Sequence, residues 1–220
     1  MKKSEEQLLK LKQLLEQMFD SLMIQLTKGK AALDTFDEGI ADEILAEETN
    51  IDNLENLINH ECETFLAMHT PVAADLRMIM AINNINPSVE RIGDNIEKIG
   101  KYVRRYKEPL PAEIETAFNV EEMYEHLLSM FEIARDSFKS VETQNLRKIY
   151  EKDWVINKIN KNARLTVVDM INKYPEHNAQ ILHYFLIINR LERVGDHIKN
   201  IGEEIIFAKE GRIVRHSKNK

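Results

Sequence analysis

Two stretches of this 220-residue chain repeat one another, and that repeat limits the fold more than any other feature. Residues 85–103 (INPSVERIGDNIEKIGKYV) align with residues 187–205 (IINRLERVGDHIKNIGEEI) at an offset of 102. The identical pairs are Ile85/Ile187, Glu90/Glu192, Arg91/Arg193, Gly93/Gly195, Asp94/Asp196, Ile96/Ile198, Ile99/Ile201 and Gly100/Gly202. A chain carrying two such copies is expected to fold as two similar halves. Four of its seven glycines sit at these paired positions. Glycine inside a helix costs about 1 kcal/mol relative to alanine, so two matched pairs on one helix face predict the close approach of a neighbouring backbone.

Apolar periodicity supplies the rest of each half. Leu8, Leu11, Leu15, Met18, Leu22, Leu26 and Leu33 recur at three- and four-residue steps and predict a first helix over 5–36. Ile40, Ile44, Ile51, Leu54, Leu57 and Ile58 carry a second to about Met68. Thr70 is expected to cap a third helix that starts at Pro71 and runs to about Tyr106. Pro87 interrupts that helix and predicts a kink or an open hydrogen bond. The proline-rich segment 107–111 reads as a linker, and three more periodic segments follow at 112–141, 144–173 and 177–209. The expected fold is all-α: two tandem three-helix bundles, spectrin-repeat-like, related by internal duplication. The expected division is 1–108 for the first bundle and 109–220 for the second with its basic C-terminal tail.

Composition agrees with this. Seven glycines and five prolines are too few for a turn-rich sandwich or barrel. The formal net charge of −7 argues against a nucleic-acid partner. No window is apolar enough to span a bilayer, and the N-terminus lacks the continuous apolar run of a signal peptide, so a cytoplasmic location is expected. The single cysteine, Cys62, has no disulfide partner and is expected to be a half-buried thiol. Trp154 and the Phe/Met stripe are expected in the core. Lys101, Arg104, Arg105 and Lys107 read as a solvated helix end, and His197, whose counterpart is Asn95, as ordinary surface.

The repeat also carries carboxylates. Glu90 with Asp94, and Glu192 with Asp196, lie at i and i+4 on one helix face. On the preceding helix Glu48 and Asp52 have the same spacing, while its second-half counterpart is Asp153 followed by Asn157. If the second and third helices face each other, four carboxylates converge in the first half. Charges about 6 Å apart repel by roughly 3 kcal/mol per pair at an effective dielectric near 20, so such a cluster calls for a cation, and oxygen-only donors suit iron, manganese, magnesium or calcium. None of the seven histidines follows a glutamate by three residues, so the di-iron Glu-x-x-His signature is missing.

The segments VERIGDNIEKIG (89–100) and LERVGDHIKNIG (191–202), with HTPVAADLRMIMAI (69–82) ahead of the first, resemble the PhoU family of phosphate-transport regulators. The resemblance extends over about residues 10–209. It implies two three-helix bundles side by side, a homodimer or higher oligomer, and multinuclear iron or zinc clusters, with manganese or magnesium as alternatives. Carried onto this chain, the implied metal ligands are Glu48, Asp52, Glu90 and Asp94 in the first repeat and Asp153, Glu192 and Asp196 in the second. Asn157 departs from the pattern, so the second site is expected to bind metal less tightly. The implied role is non-enzymatic: restraining a phosphate ABC transporter through its ATPase subunit and informing a sensor histidine kinase, with membrane association only through these partners. Metal-dependent phosphoester hydrolysis and a metal-free accessory of a phosphate permease stand as alternatives.

Overall fold

The computed structural model describes residues 3–140 and 142–212, so the C-terminal tail singled out above lies mostly outside the described residues. Among the described residues seven α-helices follow one another and there is no strand: α1 (Lys3–Thr35), α2 (Glu38–Met68), α3 (Ala73–Tyr106), α4 (Ala112–Phe118), α5 (Val120–Ser140), α6 (Arg147–Lys173) and α7 (Asn178–Glu210). The apolar stripe of α1 is buried as its spacing requires, from Leu11 through Leu15, Met18, Leu22 and Leu26 to Leu33. Asp37 caps α2, its carboxylate accepting from the N–H groups of Gly39 and Ile40.

Three local expectations are corrected. Helix α3 starts at Ala73 rather than Pro71: the chain is extended at His69, whose N–H closes α2 on Phe65, and Thr70 and Pro71 belong to the connection. Pro87, inside α3, has no N–H to give, so one helical hydrogen bond is open there as its residue type requires, and the helix continues past it to Tyr106. Its neighbour Asn86 is fully buried, and its side-chain amide donates to the Glu55 carbonyl and the Asn59 side chain, both at 2.9 Å, tying this turn to α2. The first helix of the second half is divided at Asn119, whose left-handed backbone (φ 53°) ends α4. A short 3₁₀ turn, Gln144–Leu146, then leads into α6.

Helices α1, α2 and α3 pack on one another, as do α5, α6 and α7, and the two sets join where α3 lies against α7 and α1 against α5. The core is continuous across both joins. Phe19 of α1 meets Phe131 and Phe138 of α5 edge to face, with ring centroids 5.6 and 5.5 Å apart. Cys62 is fully buried rather than half-buried, and burial, with Glu61 and Glu63 beside it, pushes its thiol up to about 11. Trp154, expected in the core, is 65% exposed on α6, with the Lys158 ammonium over its ring. It shares that surface with exposed Leu165 and Val168.

Candidate metal centre and the seam between the repeats

The repeated signature lies on α3 and α7, which cross antiparallel. Asn84 donates to Glu204 at 3.0 Å near one end of the seam, and Tyr106 meets His183 at the other. The two signatures therefore lie at the middle of the crossing. A recess of about 420 Å³ opens there between Glu90, Arg91, Asp94 and Asn95 of α3 and Arg190 and Arg193 of α7. His197 stands near this seam: its Nδ1 is buried without a hydrogen-bond partner among the described residues, and burial, with Arg91 and Arg193 nearby, holds its pKa below the usual imidazole value. It is more enclosed than an ordinary surface histidine.

In the first repeat the expected carboxylates come within electrostatic reach of one another on the facing sides of α2 and α3. Glu48 forms the floor, only 7% exposed, with Gln25 of α1 donating to its Oε2 at 2.6 Å. Burial, reinforced by Asp52, Asp94 and Glu97, pushes the Glu48 carboxyl up to about 7 despite the Gln25 bond. Glu90 is also raised, by burial first and then by Glu55, Asp94 and Asp52. The sequence reading missed two members of this set, Glu55 and Glu97. The signal was present, since both helices carry acids at i, i+4 and i+7: Glu48, Asp52, Glu55 and Glu90, Asp94, Glu97. Lys98 and Lys101 pair with Glu97 at the edge of the face.

The glycines explain how the buried carboxylate fits. A Cβ built on Gly93 would lie 2.5 Å from Glu48 Oε2, so this position is bare to admit the carboxylate rather than a backbone. At Gly100 the expected close backbone is found, the Ala41 carbonyl oxygen lying 3.0 Å from such a Cβ. Gly195 and Gly202 are looser, with nearest neighbours at 3.4 Å, and beside Gly195 the shorter Asp153 stands where Glu48 stands beside Gly93.

The second repeat is built differently. Asp153 is as buried as Glu48, but its Oδ2 accepts from Lys199 at 3.1 Å and from the Asn157 amide at 3.1 Å. Lys199 also donates to Asp196 Oδ1 at 2.6 Å. Burial raises Asp153 and Glu192 as it does their counterparts, although the Lys199 charge opposes this at both. Among the described residues no three His, Cys, Asp or Glu side chains are gathered into a preformed metal cage in either repeat. What the first repeat offers a cation is its donor chemistry: six acidic side chains on two helices, of which Glu97 and Asp94 also pair with lysines, and the buried Gln25 Oε1, which has no hydrogen-bond partner among the described residues.

The comparisons with known proteins bear on both repeats. The PhoU domain model matches this chain twice, over residues 11–103 and 120–205. The chain belongs to the PhoU family. Among curated relatives, a phosphate-specific transport system accessory protein PhoU homolog of Borreliella burgdorferi is 31% identical over 194 residues, covering 82% of each chain. The homolog of that name from Aquifex aeolicus is 28% identical, covering 98% of this chain and 94% of its own. The crystal structure of PhoU from Pseudomonas aeruginosa superimposes with a TM-score of 0.87 at 25% identity, covering 94% of this chain and 99% of its own. PhoU from Streptococcus pneumoniae shares the fold, with a TM-score of 0.79 at 24% identity, covering 96% of this chain and 99% of its own. In this chain the two PhoU repeats lie against one another, with the signature helices α3 and α7 forming the seam.

Proposed function

We propose that this chain is a non-enzymatic regulator in a phosphate transport system, restraining a phosphate ABC transporter at its ATPase subunit and conveying the transporter's state to a sensor histidine kinase. The observation that carries the reading is the double PhoU match, supported by relatives named as accessory proteins of phosphate-specific transport. A continuous core through all seven helices suits an adaptor, which must hold two faces in fixed relation. No helix among the described residues is long and apolar enough to cross a membrane, and we place the chain in the cytoplasm, reaching the membrane through its partners. The exposed apolar surface of Trp154, Leu165 and Val168 on α6 supports a homodimer or a partner contact there.

The reading includes a metal role for the first repeat. Glu48, Asp52, Glu90 and Asp94 are its proposed holders, their oxygen donors fitting iron, zinc, manganese or magnesium. A bound cation would offset the burial and, after it, the mutual repulsion that raise Glu48 and Glu90. The test is phosphate uptake in a phosphate-replete bacterial host lacking its own family member, with and without this chain. Restored repression of uptake and of the phosphate-starvation response is expected. Repression unchanged from the deletion background, with the protein expressed and folded, would remove the reading.

A further inference from the structure

Aligned on Glu48/Asp153 and Glu90/Glu192, the six acidic positions of the first repeat have six counterparts in the second. Glu48, Asp52 and Glu55 become Asp153, Asn157 and Asn160; Glu90, Asp94 and Glu97 become Glu192, Asp196 and Lys199. Two acids have become amides, and a third has become a lysine.

The lysine is positioned as a cation shared between the two helices. Its ammonium lies 3.1 Å from Asp153 Oδ2 on α6 and 2.6 Å from Asp196 Oδ1 on its own α7. The Lys199 side chain is 23% exposed and that of Asp153 10%. In the first repeat the buried floor is different. The partner of Glu48 is a neutral amide, and among the described residues Glu48, Asp52 and Glu90 make no ion pair; Lys98 and Lys101 reach only Glu97 and Asp94.

We propose that Lys199 is the resident cation of the second repeat, a covalently tethered ammonium in the role that a metal plays in the first, so that this chain takes metal in one repeat only. The proposal rests on the metal reading of the first repeat. A divalent ion entering the second would have to displace an ammonium bonded to both helices, and would then find three carboxylates and two amides, whereas Glu48, Asp52 and Glu90 of the first repeat are free of ion pairs among the described residues. A tethered cation also cannot be diluted or chelated away. The α6–α7 pair is therefore set permanently, while the α2–α3 pair responds to metal supply.

Two measurements test this together. Elemental analysis after loading with ferrous iron or zinc is made on the wild type, Glu90→Ala/Asp94→Ala, Glu192→Ala/Asp196→Ala and Lys199→Glu. Loss of bound metal with the first pair, none with the second, and a gain with Lys199→Glu are expected. Metal lost from a folded Glu192→Ala/Asp196→Ala protein would overturn the proposal. In parallel, thermal unfolding of chelator-treated protein compares Lys199→Met, Asp196→Asn and the double variant. The lysine change should lower the midpoint by about 4 °C, and the double variant should lose less than the two single changes combined. Additive losses would overturn Lys199 as the compensating cation. Should Lys199→Met not fold, Lys199→Arg, which retains the charge, is expected to fold and to respond to chelator as the wild type does; a larger chelator response or more bound metal than in the wild type would count against the proposal. If no form holds metal, the metal reading of the first repeat fails, while the coupling measurement still decides the role of Lys199.

Discussion

At Gly93 and Gly195 the same residue in the same repeat position faces different demands. A methyl group at Gly93 would meet the Glu48 carboxylate at 2.5 Å, whereas at Gly195 its nearest neighbour is at 3.4 Å, an ordinary contact. Gly93→Ala is expected to cost about 1–3 kcal/mol by overpacking, and Gly195→Ala to be neutral or to gain up to about 1 kcal/mol from helix propensity. Urea unfolding of the two variants checks this; equal effects would show the repeats to be packed alike. Glu48 itself gives a pH dependence. Its carboxyl titrates near 7 when folded against an ordinary 4.5, so between these values the folded chain keeps a proton that the unfolded chain has released. Stability therefore falls as pH rises through that window, on the order of 3 kcal/mol from this group. In chelator-treated protein, wild type should lose stability relative to Glu48→Gln between about pH 5 and about pH 8. Parallel curves for the two proteins would contradict it.

Among the helices, α3 shows how tertiary contacts override a local breaker. Pro87 removes one helical hydrogen bond, and Asn86 ties the same turn to α2 through two bonds at 2.9 Å. Asn86→Ala is expected to destabilise by about 1–2 kcal/mol, and amide exchange should quicken in the turn around Pro87; unchanged exchange there would show that the tie is not what holds the turn. The helices themselves were legible because their apolar steps run for many turns, as in Leu11 to Leu33. Thr70 and Pro71 misled for a local reason. Both have the residue types of a helix start, but they lie in the non-helical connection between α2 and α3, flanked by His69 and Val72 in extended conformation. Asn119 was invisible to periodicity because apolar residues continue on both sides of it, from Phe118 to Val120, and only its left-handed φ divides the helix.

Across the whole molecule, the two repeats share one core through Phe19, Phe131 and Phe138 on the α1–α5 side and through the α3–α7 seam on the other. They should unfold together. A single calorimetric transition is expected for wild type, and Phe19→Ala should lower its stability by about 3–5 kcal/mol without splitting it. Two separate transitions in the wild type would mean that the halves are independent.

The sequence alone determined that this chain is helical, that it is doubled, and that α2 and α3 carry acids at matching places, because periodicity and repetition are properties of the chain's order. It also pointed to Asn157 as a departure in the second repeat. Only the tertiary structure decided what these residues face. It set Glu48 against bare Gly93, brought Glu55 and Glu97 into the acidic face, turned Trp154 outward and placed Lys199 between Asp153 and Asp196. These outcomes depend on which helix packs on which and at what depth. That is fixed by the joint burial of all seven helices, and no single segment encodes it.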